Sequence, residues 1–281
     1  MARANPPGPA PAPAITPIPL AATGSRQSDI WESMFGQLSL RNVTQPALYP
    51  VLPPAGKANG TALVIAPGGG FLSLSFDSEG LTLARYLAER GVSCFVLAYR
   101  LDPTPKDPAG FMDAVARRFA SVTPNSTRTV LKDDGAQGLA QADGLAAIRY
   151  VRTHAGDFGI ERNRIGMIGF SAGGRTTMNV VTSYDALARP DFIGVIYGVS
   201  SGRPVPPDAP PAFIALAADD PLSGKAGVPI FEEWRAAGKP AELHVYAAGG
   251  HGFGMRTTGT SADHWIDDFT HWMQASKLLP R

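Results

Sequence analysis

From about residue 46 onward, continuous apolar runs of strand length alternate with segments whose apolar residues recur at helical spacing. The runs are TALVIAP (61–67), VSCFVLAY (92–99), RIGMIGF (164–170), FIGVIYG (192–198), AFIALAA (212–218) and AELHVYA (241–247). A strand that is apolar at every position is buried on both faces, as strands of parallel sheets are. Between the runs, residues 77–91 place Leu83, Ala84, Leu87 and Ala88 on one side. Asp77 or Ser78 is available to cap that helix and Gly91 to end it. Residues 135–156 place Leu139, Ala142, Leu145, Ile148 and Val151 on one helical face, and 228–239 and 262–276 read as amphipathic helices. The pattern predicts an α/β domain with a mostly parallel central sheet and helices on both faces.

Two segments break the rhythm. Residues 101–131 form a long insertion with one helical piece near 111–120. Residues 199–211 join two strands through a proline-rich stretch too short and too broken to hold a helix. The first twenty residues contain seven prolines, which excludes helix and predicts an extended, solvated leader over 1–25, followed by a single domain over 26–281. The leader has no apolar core of a signal peptide. It suits the start of a periplasmic or secreted protein and the tail of a cytoplasmic one equally.

Composition adds mainly exclusions. A hydrophobic fraction of 44%, a charged fraction of 17% and a net charge of +1 describe a soluble globular chain with no electrostatic case for nucleic acid. No apolar stretch approaches the ~18 residues needed to span a bilayer. The one cysteine, Cys94, lies in an apolar run and reads as a buried small hydrophobe.

Chemistry enters with a motif that occurs twice. Both GFSAG (169–173) and GVSSG (198–202) fit G-x-S-x-G, a serine held on a sharp strand-to-helix turn. With 31 glycines in the chain the pattern alone is weak, and context separates the two. Ser171 follows a strand and precedes a segment in which Met178, Val181 and Tyr184 can share a face. After Ser200 come Pro204, Pro206 and Pro207, so no helix starts there. Ser171 is the candidate nucleophile.

A serine hydroxyl needs a base, and the base an orienting acid. Of five histidines, only His251 sits in a glycine-rich loop directly after a strand, in AAGGHGFG. Asp219 and Asp220 follow the strand at 212–218, and spacing does not choose between them. Gly68–Gly70, after the strand at 61–67, can turn backbone N–H groups toward a developing negative charge. Gly69, Gly70 and the amide of Ala172 at a helix start are the candidate oxyanion donors. All these positions fall at carboxyl ends of strands, where open parallel sheets place their sites. The order serine, aspartate, histidine is that of the α/β-hydrolases.

Over residues 40–280 the chain resembles the α/β-hydrolase superfamily, specifically its small esterases, which include bacterial acetyl esterases and acetylxylan esterases. The segments that carry the resemblance are ALVIAPGGGF, LAYRL, GIERNRIGMIGFSAGG, AADDP and GGHGFG. It implies the α/β-hydrolase fold and assigns the acid to the aspartate before proline, Asp220. It also implies hydrolysis of short acyl esters, commonly acetyl groups on sugars, through an acyl-enzyme and without metal or organic cofactor. Phe71 and Ser200, beside the oxyanion loop and in the short connection, are expected to bind substrate. Arg175 stands where such enzymes often carry histidine. Rival readings are an esterase for aromatic (feruloyl-type) acyl groups, a peptidase-like serine hydrolase and a non-catalytic binding module. The insertion at 101–131 is expected to lie over the site as a partial lid limiting acyl length, with 199–211 leaving an opening for a bulky alcohol.

Overall fold

The computed structural model describes residues 7–20, 28–120 and 135–279. In chain order its strands begin with β1 (Gly8–Pro9), β2 (Ile18–Pro19), β3 (Ile30–Met34), β4 (Gln37–Arg41), β5 (Ala47–Val51), β6 (Ala62–Ala66) and β7 (Ser73–Leu74). There follow α1 (Thr82–Ala88), β8 (Ser93–Ala98), α2 (Pro108–Ala120), α3 (Ala136–Thr153), β9 (Ile165–Phe170) and α4 (Ala172–Val181). The chain closes with β10 (Ile193–Ile196), β11 (Ala212–Ala217), α5 (Val228–Ala236), β12 (Ala241–Tyr246) and α6 (Trp265–Ala275).

Eight strands form the central sheet in the order β12-β11-β10-β9-β6-β8-β5-β2. The pairs from β12 through to β8 are parallel, while β5 and β2 run antiparallel at the edge. The parallel strands are buried along their whole length except β12, which is why they read as unbroken apolar runs. Cys94 is fully buried in β8, and burial pushes its thiol far above the ordinary range. Among the described residues no helix is long and apolar enough to cross a membrane.

Some details depart from the sequence reading. The inward face of α3 carries Ala140, Gly144, Ala147, Ile148 and Val151, while Leu139 is 41% exposed and Ala142 is exposed. Close packing on α4 explains this: a Cβ on Gly144 would meet Val180 at 2.6 Å, so small residues take the contact. The helix expected from 77 begins with a wider π-helical turn, Asp77–Leu81, and neither Asp77 nor Ser78 caps it. The connection at 199–211 holds no helix, as expected.

The leader is extended but not simply solvated. Gly8–Pro9 pairs with β3 and Ile18–Pro19 with β5, while Ile15, Ile18 and Leu20 pack against the core. Its residues 1–6 and 21–25 lie outside the described residues.

A second, antiparallel sheet, β1-β3-β4-β7, was not foreseen. It is fastened to the segment before α2 by Arg41, which is 1% exposed. Arg41 Nε bonds Glu32 at 3.1 Å, and its other nitrogens donate to Thr104 Oγ1 and to the carbonyls of Pro105 and Lys106. Arg41→Ala would leave the Glu32 carboxylate buried without its cation. We expect a loss of about 3–5 kcal/mol in urea unfolding, the usual result of halving a buried pair. A change below about 1 kcal/mol would show that this anchor contributes little.

Candidate active site

At the carboxyl end of β9 the chain turns directly into α4, and Ser171 occupies the turn with φ 51° and ψ −113°. Its N–H donates to the Ile196 carbonyl on β10 at 3.0 Å, fixing the turn against the next strand. The helix start lies so close to β6 that a Cβ on Gly173 would come within 1.9 Å of the Ala66 carbonyl oxygen. Glycine is therefore required there sterically.

Ser171 Oγ lies 2.8 Å from His251 Nε2, and His251 Nδ1 lies 2.8 Å from Asp220 Oδ2. Asp220 is fully buried and accepts bonds from the amides of Leu222 (2.8 Å) and Ser223 (3.1 Å) and from the Ser223 hydroxyl (2.5 Å). Burial pushes its carboxyl upward, but the hydrogen bond and charge of His251, with Ser223 and the Leu222 amide, outweigh this and hold it below the usual aspartate range. Asp219 is exposed and accepts from the Gly250 amide at 2.8 Å. It thus steadies the loop that carries His251 without reaching the imidazole.

The oxyanion candidates adjoin this relay. Gly69 and Gly70 line the same cavity as Ser171 and His251. Their positive φ values, 139° and 64°, turn the loop tightly enough that a Cβ on Gly69 would lie 2.0 Å from the Ser73 carbonyl oxygen. The amide of Ala172 is the first of α4 and has no partner within the helix. The Gly68 amide is committed elsewhere, donating to Glu79 Oε2 at 2.7 Å.

Two expected substrate contacts are corrected. Phe71 is 1% exposed, and its ring packs edge-on to Tyr99 in the core rather than facing the cavity. Ser200 turns its hydroxyl onto the Glu233 carboxylate at 2.7–2.8 Å, and its carbonyl accepts from Arg175. Residues 199–211 do not line the cavity. These bonds staple the connection to α4 and α5.

The cavity of about 200 Å³ is bounded instead by α2 and by the β3–β4 hairpin. Met112, Val115 and Phe119 come from α2, Met34 and Phe35 from the hairpin, and Gln37, Ser39 and Arg256 supply polar lining. Phe119 sits against the oxyanion loop, where a Cβ on Gly70 would meet its ring at 2.9 Å. A buried ion pair, Arg118 to Asp102 at 2.6 Å, fastens α2 to the segment after β8, and the Asp102 amide donates to the Phe71 carbonyl. The described part of the 101–131 insertion is thus an anchored wall, and 121–131 lie outside the described residues.

Sequence reasoning missed Glu79, Tyr197 and Ser223. Glu79, only 4% exposed, lines the cavity and accepts from Tyr197 Oη at 2.7 Å. Burial drives its carboxyl upward, against the bonds from Tyr197 and Gly68 and the charges of His251 and Arg256. Ser223 follows the Asp220–Pro221 turn, where a short hydroxyl side chain is a signal for bonding back to the preceding carboxylate.

The BD-FAE family model matches residues 112–187. An acetylxylan esterase of Xylanibacter ruminicola is 28% identical over 251 residues, which is 77% of this chain and 46% of that protein. The chain thus spans about half the length of that relative. Among solved structures, an acetyl ester-xyloside bifunctional hydrolase from Caldicellulosiruptor lactoaceticus superposes with a TM-score of 0.68 at 22% identity, covering 95% of this chain and 100% of its own. Thermogutta terrifontis esterase 2, phosphonylated by cyclosarin, gives 0.65 at 19% identity, covering 96% and 97%. The chain has the α/β-hydrolase fold.

Proposed function

We propose that this α/β-hydrolase is a serine carboxylesterase for short acyl esters, with acetyl groups on carbohydrates as its substrate class. The observation that carries the reading is the unbroken relay from Ser171 Oγ through His251 to buried Asp220, beside the unpaired start of α4. His251 Nε2 takes the Ser171 proton as Oγ attacks the ester carbonyl, and Asp220 holds Nδ1–H and stabilises the imidazolium. The tetrahedral oxyanion is received by amides of Gly69, Gly70 and Ala172. The imidazolium then protonates the departing alcohol, and water, activated by the same histidine, releases the acid from the acyl-enzyme.

The substrate class is supported by the mixed apolar and polar lining of the cavity and by the acetylxylan esterase and acetyl ester-xyloside hydrolase relatives. Met112, Val115 and Phe119 suit a short apolar acyl group, whereas Gln37, Ser39 and Arg256 suit a hydroxylated alcohol. The test is a hydrolysis panel of acetyl to octanoyl aryl esters with acetylated xylan and a feruloylated sugar. Acetyl esters should be preferred; a preference for the feruloyl ester would transfer the reading to aromatic acyl groups.

The α2 wall makes a separate prediction. Phe119→Ala removes the ring that closes the space over Gly70 and should raise the butyryl-to-acetyl ratio of kcat/KM about tenfold, the effect of one or two methylenes gaining a pocket. Acetyl hydrolysis itself should persist. An unchanged chain-length profile in the folded variant would show that α2 does not limit the acyl group.

A further inference from the structure

We infer that Glu79, acting through Tyr197, is a positioning residue that holds the oxyanion loop and the histidine loop in register for the reaction; the inference rests on the esterase reading above. Four groups are joined in series. The Gly68 amide donates to Glu79 Oε2 at 2.7 Å, Tyr197 Oη donates to Glu79 Oε1 at 2.7 Å, and the Gly254 amide donates to Tyr197 Oη at 3.1 Å. One end of the series is the residue before the oxyanion glycines, and the other lies three residues past His251. The Tyr197 ring also lies 5.1 Å from the imidazole, centroid to centroid.

A buried carboxyl is costly to keep, and among the described residues Glu79 has no cation within ion-pair distance, with His251 and Arg256 acting on it only from further off. An apolar side chain of similar size would fill the space at less cost. What it could not do is accept two hydrogen bonds from two different loops. The fit near the nucleophile is tight. A Cβ on Gly68 would lie 2.7 Å from Glu79 Oε2, 2.8 Å from the Phe170 carbonyl and 3.0 Å from Ser171 Cβ. Binding the Gly68 N–H to Glu79 fixes that peptide plane, and with it the approach of Gly69 and Gly70 to Ser171. The π-helical turn at Asp77–Leu81, where a regular helix was expected, is what carries Glu79 at this wall.

Glu79→Gln keeps the shape but leaves one oxygen in place of two, so one of the two donors meets an amide NH₂. On an aryl acetate its kcat should fall about 10- to 100-fold with KM within threefold, since misplacement of about 1 Å costs on the order of 10². The rate of Ser171 labelling by a fluorophosphonate should fall by a similar factor. Tyr197→Phe, which cuts the series at its second link, should lose about fivefold or more, and the double variant should be no worse than about twofold below Glu79→Gln. A kcat within threefold of wild type, a loss confined to KM, or losses that multiply in the double variant would each overturn the inference. If Glu79→Gln does not fold, Tyr197→Phe decides alone: wild-type rates there overturn it. Should the wild-type protein cleave no ester on the panel, the esterase reading fails, while the phosphonate labelling rates still report on Glu79.

Discussion

Ser171→Ala should abolish ester hydrolysis, with a fall in kcat/KM on the order of 10³-fold or more and an unfolding midpoint close to that of the unmodified protein. The size follows from the geometry. Ser171 Oγ is the oxygen bonded to His251, and its loss leaves an imidazole with no nucleophile to activate and no acyl-enzyme to form. The second G-x-S-x-G serine supplies the control. Ser200 is bonded to Glu233 and stands away from the cavity, so Ser200→Ala should retain most activity. Initial rates on an aryl acetate, paired with circular dichroism, check both. A dead Ser200→Ala beside an active Ser171→Ala would reverse the assignment of the nucleophile.

Asp220→Asn carries the second largest effect, a loss of about 10⁴-fold in kcat, because an amide presents its NH₂ to Nδ1 and favours the wrong tautomer. Asp219→Asn should cost only a few-fold, since it loosens one bond to the Gly250 amide. The Asp220 carboxyl is held below its ordinary range in the folded protein, which fixes a sign for stability as well. Its contribution is present above the ordinary aspartate range and disappears as pH falls through the depressed folded value. Acid unfolding of Asp220→Asn should therefore be less steep than that of the unmodified protein. Equal and mild activity losses from the two aspartates would send the search for the acid elsewhere.

The neighbours of each residue decide how far sequence reaches here. The parallel strands other than β12 are legible because burial on both faces leaves them almost no polar position. Ser171 stands apart from Ser200 because proline stops a helix after one and not the other. Asp219 and Asp220 are equivalent by spacing; the family resemblance points to Asp220, and the physical difference between them is burial, one facing solvent and the other sealed under Ser223. The α3 face is misread because leucine dominates a periodicity argument, whereas the actual contact with α4 selects for alanine and glycine. Glu79 is invisible for a different reason. A glutamate in the first turn of a helical stretch reads as solvated, and nothing local announces that Tyr197, 118 positions away in sequence, will lie against it. Phe71 and Ser200 fail as substrate contacts because proximity in sequence to a site says little about which way a side chain turns.

The two margins of the central sheet are finished differently. Along β5 the two residues Ile18–Pro19 form a narrow selvedge, and Pro19 has no N–H with which to recruit a further strand. At the far margin, β12 has no strand on its outer side among the described residues, and it presents Glu242 and Val245 half in solvent. Glu242 is the kind of charge that discourages stacking, yet Val245, three residues along and on the opposite face of the strand, is 50% exposed. Of the two margins of the central sheet, the β12 side is thereby the one left open among the described residues to strand-to-strand joining between molecules. The proline-rich segment that looked like a loose tail hems the other.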